Sequence, residues 1–308
     1  MEEINNIITP ILVQLSVPIL LLLPLFIAGL VMGLVIKIIR KRSRYPFEIA
    51  LNQRIPGQTL LTQYSDASAD LMGNLMLTMY LTICPLACYG LAHYIGLKLP
   101  NLLTLVAIFL CAVLVVLWKI IKLKRNQMNL RLGLEAEWFT AIELYNGLPH
   151  SYKIFNDIQC DNFNIDHLVV GPNGVFAIET KGRRKPNLKA TKNNKGETPK
   201  EYEVKVEGDK LIFPTFSETD TTQQAARQAK WAQKWLTQAT GINVPVWPVV
   251  NIPGWFVRNG KNQTMLIAST RNLTASLMKA NKFTFDEKQV DAIAYQVRQK
   301  ALRDNDLI

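Results

Sequence analysis

The sequence has few of the residues that build disulfide frameworks or zinc sites. Its 308 residues include four cysteines and three histidines. Three cysteines lie in apolar stretches and Cys160 stands alone in the remainder, so the sequence indicates no disulfide framework and is consistent with a reducing compartment. Cys84 and Cys88 are spaced to share a helix face. No histidine or cysteine cluster accompanies them, which favours small packing residues over a metal site.

Charged residues are nearly absent from three long stretches in the first 130 residues. Residues 10–39 contain one charge, Lys37, and exceed the roughly 20 apolar residues that a bilayer-spanning helix needs. Two further apolar stretches, about 71–95 and 101–121, are separated by the short turn GLKLP and predict a helical hairpin. These stretches lack an acid–base pair, which argues against a transporter or sensor.

The N-terminus lacks the features of a cleaved signal peptide. It reads MEEINN, without a basic start, and a basic cluster at 40–44 follows the first apolar stretch. A second basic cluster, at 119–125, ends the third stretch. Because basic clusters favour the cytoplasmic side, three spans with the N-terminus outside satisfy both clusters. We predict an integral protein of a bacterial inner membrane, in which residues 40–70 form a cytoplasmic connection without a recognisable site.

The stretch at 71–95 is the most polar of the three. It contains Pro85, three tyrosines and His93, so a re-entrant or protein-packed segment is the alternative to a full span. His93 lies near the predicted outer end without an acidic partner. This favours an interfacial position over a role in an ion pathway.

Residues 131–308 have the composition of an ordinary globular domain, which we expect on the cytoplasmic side of a 1–130 membrane anchor. The net charge is +11: residues 1–130 carry 11 Lys or Arg against 5 Asp or Glu, and residues 131–308 carry 24 against 19. Membrane topology accounts for the first excess, whereas the second makes nucleic acid the leading partner. Many solvated surfaces are also basic, so this balance does not by itself identify the partner.

The second half alternates helical and strand patterns. Apolar residues at helical spacing predict an amphipathic helix over 133–147, with Glu137 at the edge of its apolar stripe. Strand patterns follow near 151–158 and on both sides of the turn GPNG. The later elements are a hairpin at EYEVKVEGDKLIF, a helix over 219–240 ending at Gly241, strands near 244–252 and 264–268, and a helix over 285–303. This order fits an α/β sandwich.

The GPNG hairpin brings acidic residues together. If the turn closes between Pro172 and Asn173, Asp166 faces Glu179, and Lys181 lies on the same face. Like charges placed opposite each other are destabilising, so a sheet that keeps them indicates a compensating cation, and oxygen ligands suit Mg²⁺ or Mn²⁺. A slip of one residue would put the two carboxylates on opposite faces.

The alternative for these charges is a solvated strand face, where most charged residues lie. Their neighbours on the same face are all apolar, namely Leu168, Val170, Val175 and Ala177. A mainly buried face with charges at one end needs a reason for those charges. His167 falls on the other face, opposite Ile178. A structural role is favoured there, and the alternative is a hydrogen bond to a group that supports the metal ligands.

These segments resemble the NERD (nuclease-related domain) family of the PD-(D/E)xK restriction-endonuclease-like superfamily. The resemblance rests on GLEAEWF, NIDHLVVGPNGVFAIETKG, GDKLIFP and QQAARQAKWAQKWL, and covers roughly 133–260. The combination of IDH with GP.GVF.IE.K is far more specific than a bare D…ExK spacing. The sequence departs from the family at Ala136, where Gly usually precedes the Glu, and at Asp220 and Thr221, where Asn-Pro is common. The resemblance implies a restriction-endonuclease-like mixed sheet flanked by helices, preceded here by about three transmembrane helices.

The resemblance also implies metal-dependent hydrolysis of phosphodiester bonds. Asp166 and Glu179 would bind Mg²⁺ or Mn²⁺, and Glu137 would complete the metal site through a water. Lys181 would position or deprotonate the attacking water, or neutralise charge on the phosphate. Gln224 would orient a water or contact the phosphate, and the alternative for it is a helix-surface residue without a role.

Basic residues dominate the insert that follows Lys181, which contains no acid before Glu197. Such a loop would attract a polyanionic backbone without reading sequence, and the alternative is a solvated low-complexity loop. No zinc finger, helix-turn-helix or other reader motif is present. The residues predicted to bind nucleic acid are Arg183, Arg184, Lys185 and Lys189 in the insert, and Arg227 and Lys230 on the following helix.

The leading interpretation is a membrane-anchored, metal-dependent nuclease that acts on DNA at the cytoplasmic membrane face, in defence or DNA processing. The alternative from another class is a catalytically silent nucleic-acid-binding or scaffold module tethered to the membrane. The sequence leaves the oligomeric state and any membrane partner open.

Overall fold

The structure is a computed structural model that describes residues 54–94, 96, 102–186, 202–258, 264–280 and 283–305, with helical positions at 27, 30–32, 34–35 and 37–38. The predicted span at 10–39 therefore lies largely outside the described residues. The chain divides into two compact units. Asp66–Gln127 belongs to the first unit, and the second combines the segment that ends at Ser65 with the chain from Met128 onward.

Two long helices dominate the N-terminal region, α1 over Gln58–Tyr94 and α2 over Leu102–Gly147. Among the described residues, α1 and the Val106–Gly147 part of α2 are long and apolar enough to cross a membrane. Large apolar side chains are exposed on both, as at Ile83 and Trp118. Cys84 and Cys88 pack together with Tyr80, Leu91 and Phe109, in keeping with the predicted packing role.

Both helices have boundaries that differ from the sequence prediction. Helix α1 begins at Gln58, within the predicted connection, because a polar segment can be helical without an apolar run to reveal it. Helix α2 is continuous from Leu102 to Gly147, so the separately predicted helices at 101–121 and 133–147 are parts of one element. Residues 122–132 are helical and join these two parts. Their strong helix formers carry the helix past Gly133, which alone is a mild helix breaker.

The second unit is built on two mixed sheets flanked by helices, as expected for the predicted fold class. Its strands are β1 Lys153–Gln159, β2 Asn164–Gly171, β3 Gly174–Thr180, β4 Glu203–Glu207, β5 Lys210–Ile212, β6 Ser217–Glu218, β7 Val246–Asn251, β8 Phe256–Arg258 and β9 Leu266–Ala268. Its later helices are α3 Asp220–Thr240, α4 Thr270–Lys279 and α5 Glu287–Asn305. The sequence patterns did not reveal β6, β8 or α4, since β6 and β8 are too short for a periodic signal.

The larger sheet has the order β1-β2-β3-β7-β9, with β1, β2 and β3 antiparallel and β3, β7 and β9 parallel. The smaller sheet has the order β6-β5-β4-β8. The predicted hairpin register is confirmed, because Leu168 pairs with Ala177 and Val170 with Val175. The carboxyl ends of the parallel strands β3 and β7 lie beside each other, where ligands of open α/β sheets commonly bind.

Both faces of the larger sheet are buried. One face packs on α3 and α5 through residues such as Leu236 and Ile293. The other packs on α2 and α4 through Leu144, Leu273 and Leu277. A strand buried on both faces cannot keep charged side chains unless they have partners, so the few charges near the end of β3 require an explanation.

Candidate active site

Two buried carboxylates flank the open end of the β2–β3 ladder. The paired register ends at His167 and Ile178, so Asp166 and Glu179 occupy the next positions of the two strands. The backbone N–H of Thr180 donates a hydrogen bond to Asp166 Oδ2 at 2.7 Å. Asp166 is 6% exposed and Glu179 is 1% exposed. The hairpin therefore holds two acids in the interior.

Glu179 is held by a closed set of side chains. Its Oε1 lies 2.5 Å from Lys181 Nζ, and its Oε2 accepts a hydrogen bond from Gln224 Nε2 at 3.0 Å. Lys181 Nζ also donates to Gln224 Oε1 at 3.1 Å. Gln224 thus contacts both Glu179 and Lys181, which the sequence pattern of α3 could not establish.

Gln228 is a further member of this set that sequence reasoning missed. Its Nε2 donates to Glu179 Oε2 and to the carbonyl oxygen of Asn164, the latter at 2.8 Å. The side chain is fully buried. Its spacing of one helical turn from Gln224 is the signal that could have found it, because residues four apart share a helix face.

Glu137 reaches the same region from α2. It is 3% exposed, and among the described residues its Oε2 has no hydrogen-bond partner. Burial, reinforced by the charges of Asp157 and Glu179, raises the pKa of Glu137 to about 8. The Lys181 ammonium and a hydrogen bond from the Gly57 backbone oppose this shift without cancelling it.

Asp166 experiences the same surroundings. Burial raises its pKa well above the usual range, and the charges of Glu179 and Glu137 add to the shift. The hydrogen bond from Thr180 and the charge of Lys181 act in the opposite direction. For both groups burial is the largest cause of the raised pKa, and the neighbouring carboxylates add to it.

These residues line one cavity of about 520 Å³. Glu137, Asp166, Glu179, Lys181 and Gln224 all contribute to its wall, so the structure brings together every residue that the sequence placed in the catalytic set. The wall also includes three residues of α1, which the sequence placed in a connection without a site, namely Thr59, Leu60 and Gln63.

Gly182 allows the chain to leave β3 against α2. A Cβ at this position would lie 2.7 Å from the carbonyl oxygen of Leu132 and 3.2 Å from Ala136 Cβ. A real Cβ essentially never lies 2.7 Å from a backbone oxygen, so a side chain here would require the backbone to shift and glycine is favoured. Ala136, which departs from the family pattern, is small enough to remain buried beside it.

The arginines that follow Lys181 border the same cavity. Arg183 forms an ion pair with Glu218 at 2.8 Å, and the guanidinium of Arg184 donates to the Met128 carbonyl oxygen at 3.1 Å. Among the described residues predicted to bind nucleic acid, these two line the cavity of the acidic set.

The other predicted nucleic-acid residues lie elsewhere. Lys185 lines a different cavity, and Lys230 lines a third on α3. Arg227 is exposed on α3, outside the lining of the acidic cavity. Lys189 lies outside the described residues.

His167 lies on the opposite face of β2, as the alternation predicts. It is fully buried, and its Nδ1 is 2.8 Å from Asn156 Oδ1. Burial lowers the pKa of His167 to about 3. A histidine in this setting stays neutral and fits the structural role that the sequence favoured.

The donor set fits a hard divalent cation that keeps several waters. In the described part of the chain, no group of three or more His, Cys, Asp and Glu side chains is arranged so that it could hold a metal ion by itself. Asp166 and Glu179 offer two carboxylates, and Glu137 adds a buried oxygen without a partner. Mg²⁺ is usually bound through one or two carboxylates and several waters. The residues therefore suit Mg²⁺ or Mn²⁺ and do not resemble a closed zinc site.

Comparison with known proteins agrees with the resemblance seen in the sequence. Residues 132–253 match the family model described as NERD, nuclease-related domain. Neither a curated protein nor a solved structure matches the chain. The matched segment contains the acidic residues, the lysine and both glutamines of the cavity. The match of residues 132–253 is to a nuclease-related domain, a family that belongs to the restriction-endonuclease-like superfamily.

Proposed function

We propose that the chain is a membrane-anchored, metal-dependent nuclease that hydrolyses phosphodiester bonds of DNA at the cytoplasmic face of the membrane. The observation that carries the proposal is the convergence of Glu137, Asp166, Glu179 and Lys181 on one cavity. Buried carboxylates in mutual repulsion destabilise a fold, so their retention beside a cavity favours a catalytic use.

Asp166 and Glu179 would hold Mg²⁺ or Mn²⁺, with Glu137 beside them. When bound, the ion supplies Lewis acidity toward the phosphate and lowers the pKa of water. Gln224 and Gln228 both donate to one oxygen of Glu179 and so fix the orientation of its carboxylate. Loss of such a supporting hydrogen bond typically lowers metal affinity or activity about 10- to 100-fold.

Lys181 has the position of a group that meets the substrate. Its side chain is 24% exposed, whereas that of its partner Glu179 is 2% exposed, so the ammonium faces the cavity while its anchor stays buried. There it can stabilise the charge that develops on the phosphate oxygens or orient the attacking water. The ammonium also donates a hydrogen bond to Gln224 Oε1.

The surroundings of the cavity suit a polyanion. Arg183 and Arg184 border it, and contacts of this kind bind the phosphate backbone without reading sequence. The two apolar helices and the basic clusters at 40–44 and 119–125 support membrane anchoring with the domain in the cytoplasm. A tether confines cleavage to the bilayer surface, which suits defence against DNA that enters through the envelope, or DNA processing there.

The test uses the full chain in detergent micelles, because residues near 60 also line the cavity. Plasmid and linear DNA are incubated with Mg²⁺, Mn²⁺ or EDTA, in parallel with Asp166→Ala, Glu179→Ala and Lys181→Ala. The control variant is Lys288→Ala, an exposed lysine on α5. We expect metal-dependent cleavage by the wild type and the control only.

Equal cleavage by all variants would refute the proposal. Absence of cleavage with every metal, combined with retained DNA binding, would instead support the silent nucleic-acid-binding module.

A further inference from the structure

A second cavity of about 650 Å³ in the same unit is lined by exposed aromatic rings. Phe139 of α2 is 53% exposed, Tyr202 before β4 is 50% exposed, and Phe256 of β8 is 54% exposed. Three elements distant in sequence thus each contribute one ring. Exposed apolar groups gathered in a hollow mark a binding surface more often than scattered ones do. We call this cavity the aromatic hollow.

The charge of the aromatic hollow complements a polyanion. Its lining includes Lys185 and Arg271, both exposed, and no Asp or Glu among the described residues. Helix α4 begins at Thr270 in the same lining, and the N-terminus of a helix favours negative groups. Aromatic rings combined with basic side chains form the usual platform for single-stranded nucleic acids.

The aromatic hollow is connected to the candidate active site through one short segment. Lys181 lines the acidic cavity and Lys185, four positions later, lines the aromatic hollow, so their Cα atoms are at most about 14 Å apart. Between them, the carbonyl oxygen of Arg183 accepts a hydrogen bond from Trp255 Nε1 at 3.0 Å. Trp255 is buried and also lines the hollow, so this segment is anchored to its wall.

We infer that the aromatic hollow binds an unpaired base of a single-stranded nucleic acid whose backbone continues to the candidate active site. A base within a duplex has both faces covered by its neighbours, whereas an unpaired base can stack on a protein ring. Lys185 and Arg271 contact the flanking phosphates. The inference rests on the proposed function for the identity of the ligand, and it specifies a substrate with a single strand, flap or overhang.

The test measures binding by the full chain in detergent micelles with EDTA, which prevents metal-dependent cleavage. The probes are a fluorescent 12-nucleotide single strand and a blunt duplex of the same sequence. Stacking contributes about 1–3 kcal/mol per base, so Tyr202→Ala and Phe256→Ala should each weaken single-strand binding about 5- to 150-fold. Duplex binding should change less than twofold.

Matched variants separate stacking from loss of fold. Tyr295→Ala removes a tyrosine that is 56% exposed on α5, outside the aromatic hollow, and should leave binding unchanged. Tyr202→Phe and Phe256→Tyr keep a ring and should restore most of the single-strand affinity. An equal loss in the ring-retaining variants would refute stacking as the cause.

The outcomes distinguish this inference from the proposed function. If the chain cleaves DNA with metal and Tyr202→Ala and Phe256→Ala keep their single-strand affinity, the inference is refuted and the proposed nuclease activity stands. Selective loss of single-strand binding in a chain that cleaves nothing would support the inference and refute the nuclease. If the alanine variants weaken binding to anionic phospholipid vesicles and not to the single strand, the hollow serves a lipid and the inference is wrong.

Discussion

At the scale of single residues, Asp166 shows the conflict between stability and the proposed activity. Its carboxylate is buried beside Glu179 and Glu137, and both neighbours disfavour its charge. Neutral asparagine has nearly the same shape and can keep the hydrogen bond from Thr180. A site that repels its own charges in the free protein gains stability from a bound cation, because ligands that bind only the folded state stabilise it.

We therefore predict that Asp166→Asn raises stability and abolishes cleavage. Without divalent ions, the free energy of unfolding should rise by roughly 0.5–2 kcal/mol, as is common when a strained functional site is relaxed. Wild-type protein should gain about 2.7 kcal/mol at a Mg²⁺ concentration 100 times its Kd, and the variant should gain much less. Denaturant unfolding in detergent, with and without Mg²⁺, measures both effects.

Asp291→Asn is the control for this prediction, since Asp291 is exposed on α5. It should change neither the unfolding midpoint nor the response to Mg²⁺. A metal-free Asp166→Asn protein less stable than the wild type would contradict the account of the site as mutually repelling carboxylates.

Gln228 carries the second prediction at this scale. Gln228 lies one helical turn after Gln224 on α3, and its buried amide donates a hydrogen bond to the same oxygen of Glu179. Gln228→Leu keeps the approximate volume but removes the donor, so the carboxylate loses part of its orientation. Loss of such a supporting hydrogen bond typically lowers activity 10- to 100-fold, and we expect this loss in kcat with little change in KM. Steady-state cleavage kinetics measure the two constants.

The matched control is Gln233→Leu, an exposed glutamine on the same helix, which should behave as wild type. An unchanged kcat in Gln228→Leu would show that Gln224 and Lys181 suffice to hold Glu179.

At the scale of secondary-structure elements, Asp157 fixes the start of α1. It lies on β1 with a φ of 50°, a left-handed conformation that Asp adopts more readily than most residues. Its Oδ2 accepts hydrogen bonds from the Thr59 backbone N–H at 3.0 Å and from Arg54 Nε at 2.9 Å. A carboxylate at a helix N-terminus satisfies free N–H groups and complements the helix dipole. Asp157 therefore anchors the first turn of α1 to strand β1.

We predict that Asp157→Asn is strongly destabilising. Arg54 is 6% exposed and Asp157 is fully buried, so the substitution leaves a buried guanidinium without its counter-charge. Removing one partner of such a pair costs about 3–5 kcal/mol. Denaturant unfolding of the full chain measures the loss.

Glu135→Gln provides the comparison, because the Arg131–Glu135 pair is exposed on α2 and should contribute nothing measurable. Equal midpoints for Asp157→Asn and Glu135→Gln would contradict a structural role for the buried pair.

At the scale of the whole molecule, the arrangement of apolar helices and basic clusters predicts how the chain lies in the membrane. The C-terminus is predicted to lie in the cytoplasm. A fluorescent protein fused after Ile308 should therefore fluoresce, whereas alkaline phosphatase fused at the same position should be inactive. Phosphatase inserted in the turn near Gly96 should be active, since that turn is predicted to lie outside. Phosphatase activity at the C-terminus would refute the topology.

Much of the fold could be predicted because its signals are local. The GPNG turn and the alternation of strand residues gave the register of β2 and β3, and Gly241, with a φ of 72°, ends α3 where predicted. The start of α1 could not be predicted in this way. It depends on Asp157, which is about 100 residues away in sequence, so no local pattern records the contact.

By itself, the sequence determined that long apolar stretches are present and that Asp166 and Glu179 are cross-strand neighbours. These features follow from segment length and from the two-residue period of a strand, which depend only on nearby residues. Tertiary structure alone decided that Glu137, Gln224 and Gln228 reach the same carboxylates, and that Phe139, Tyr202 and Phe256 gather in one hollow. Those groupings depend on how distant elements pack, because side chains far apart in sequence meet only when the helices and sheets that carry them are brought together.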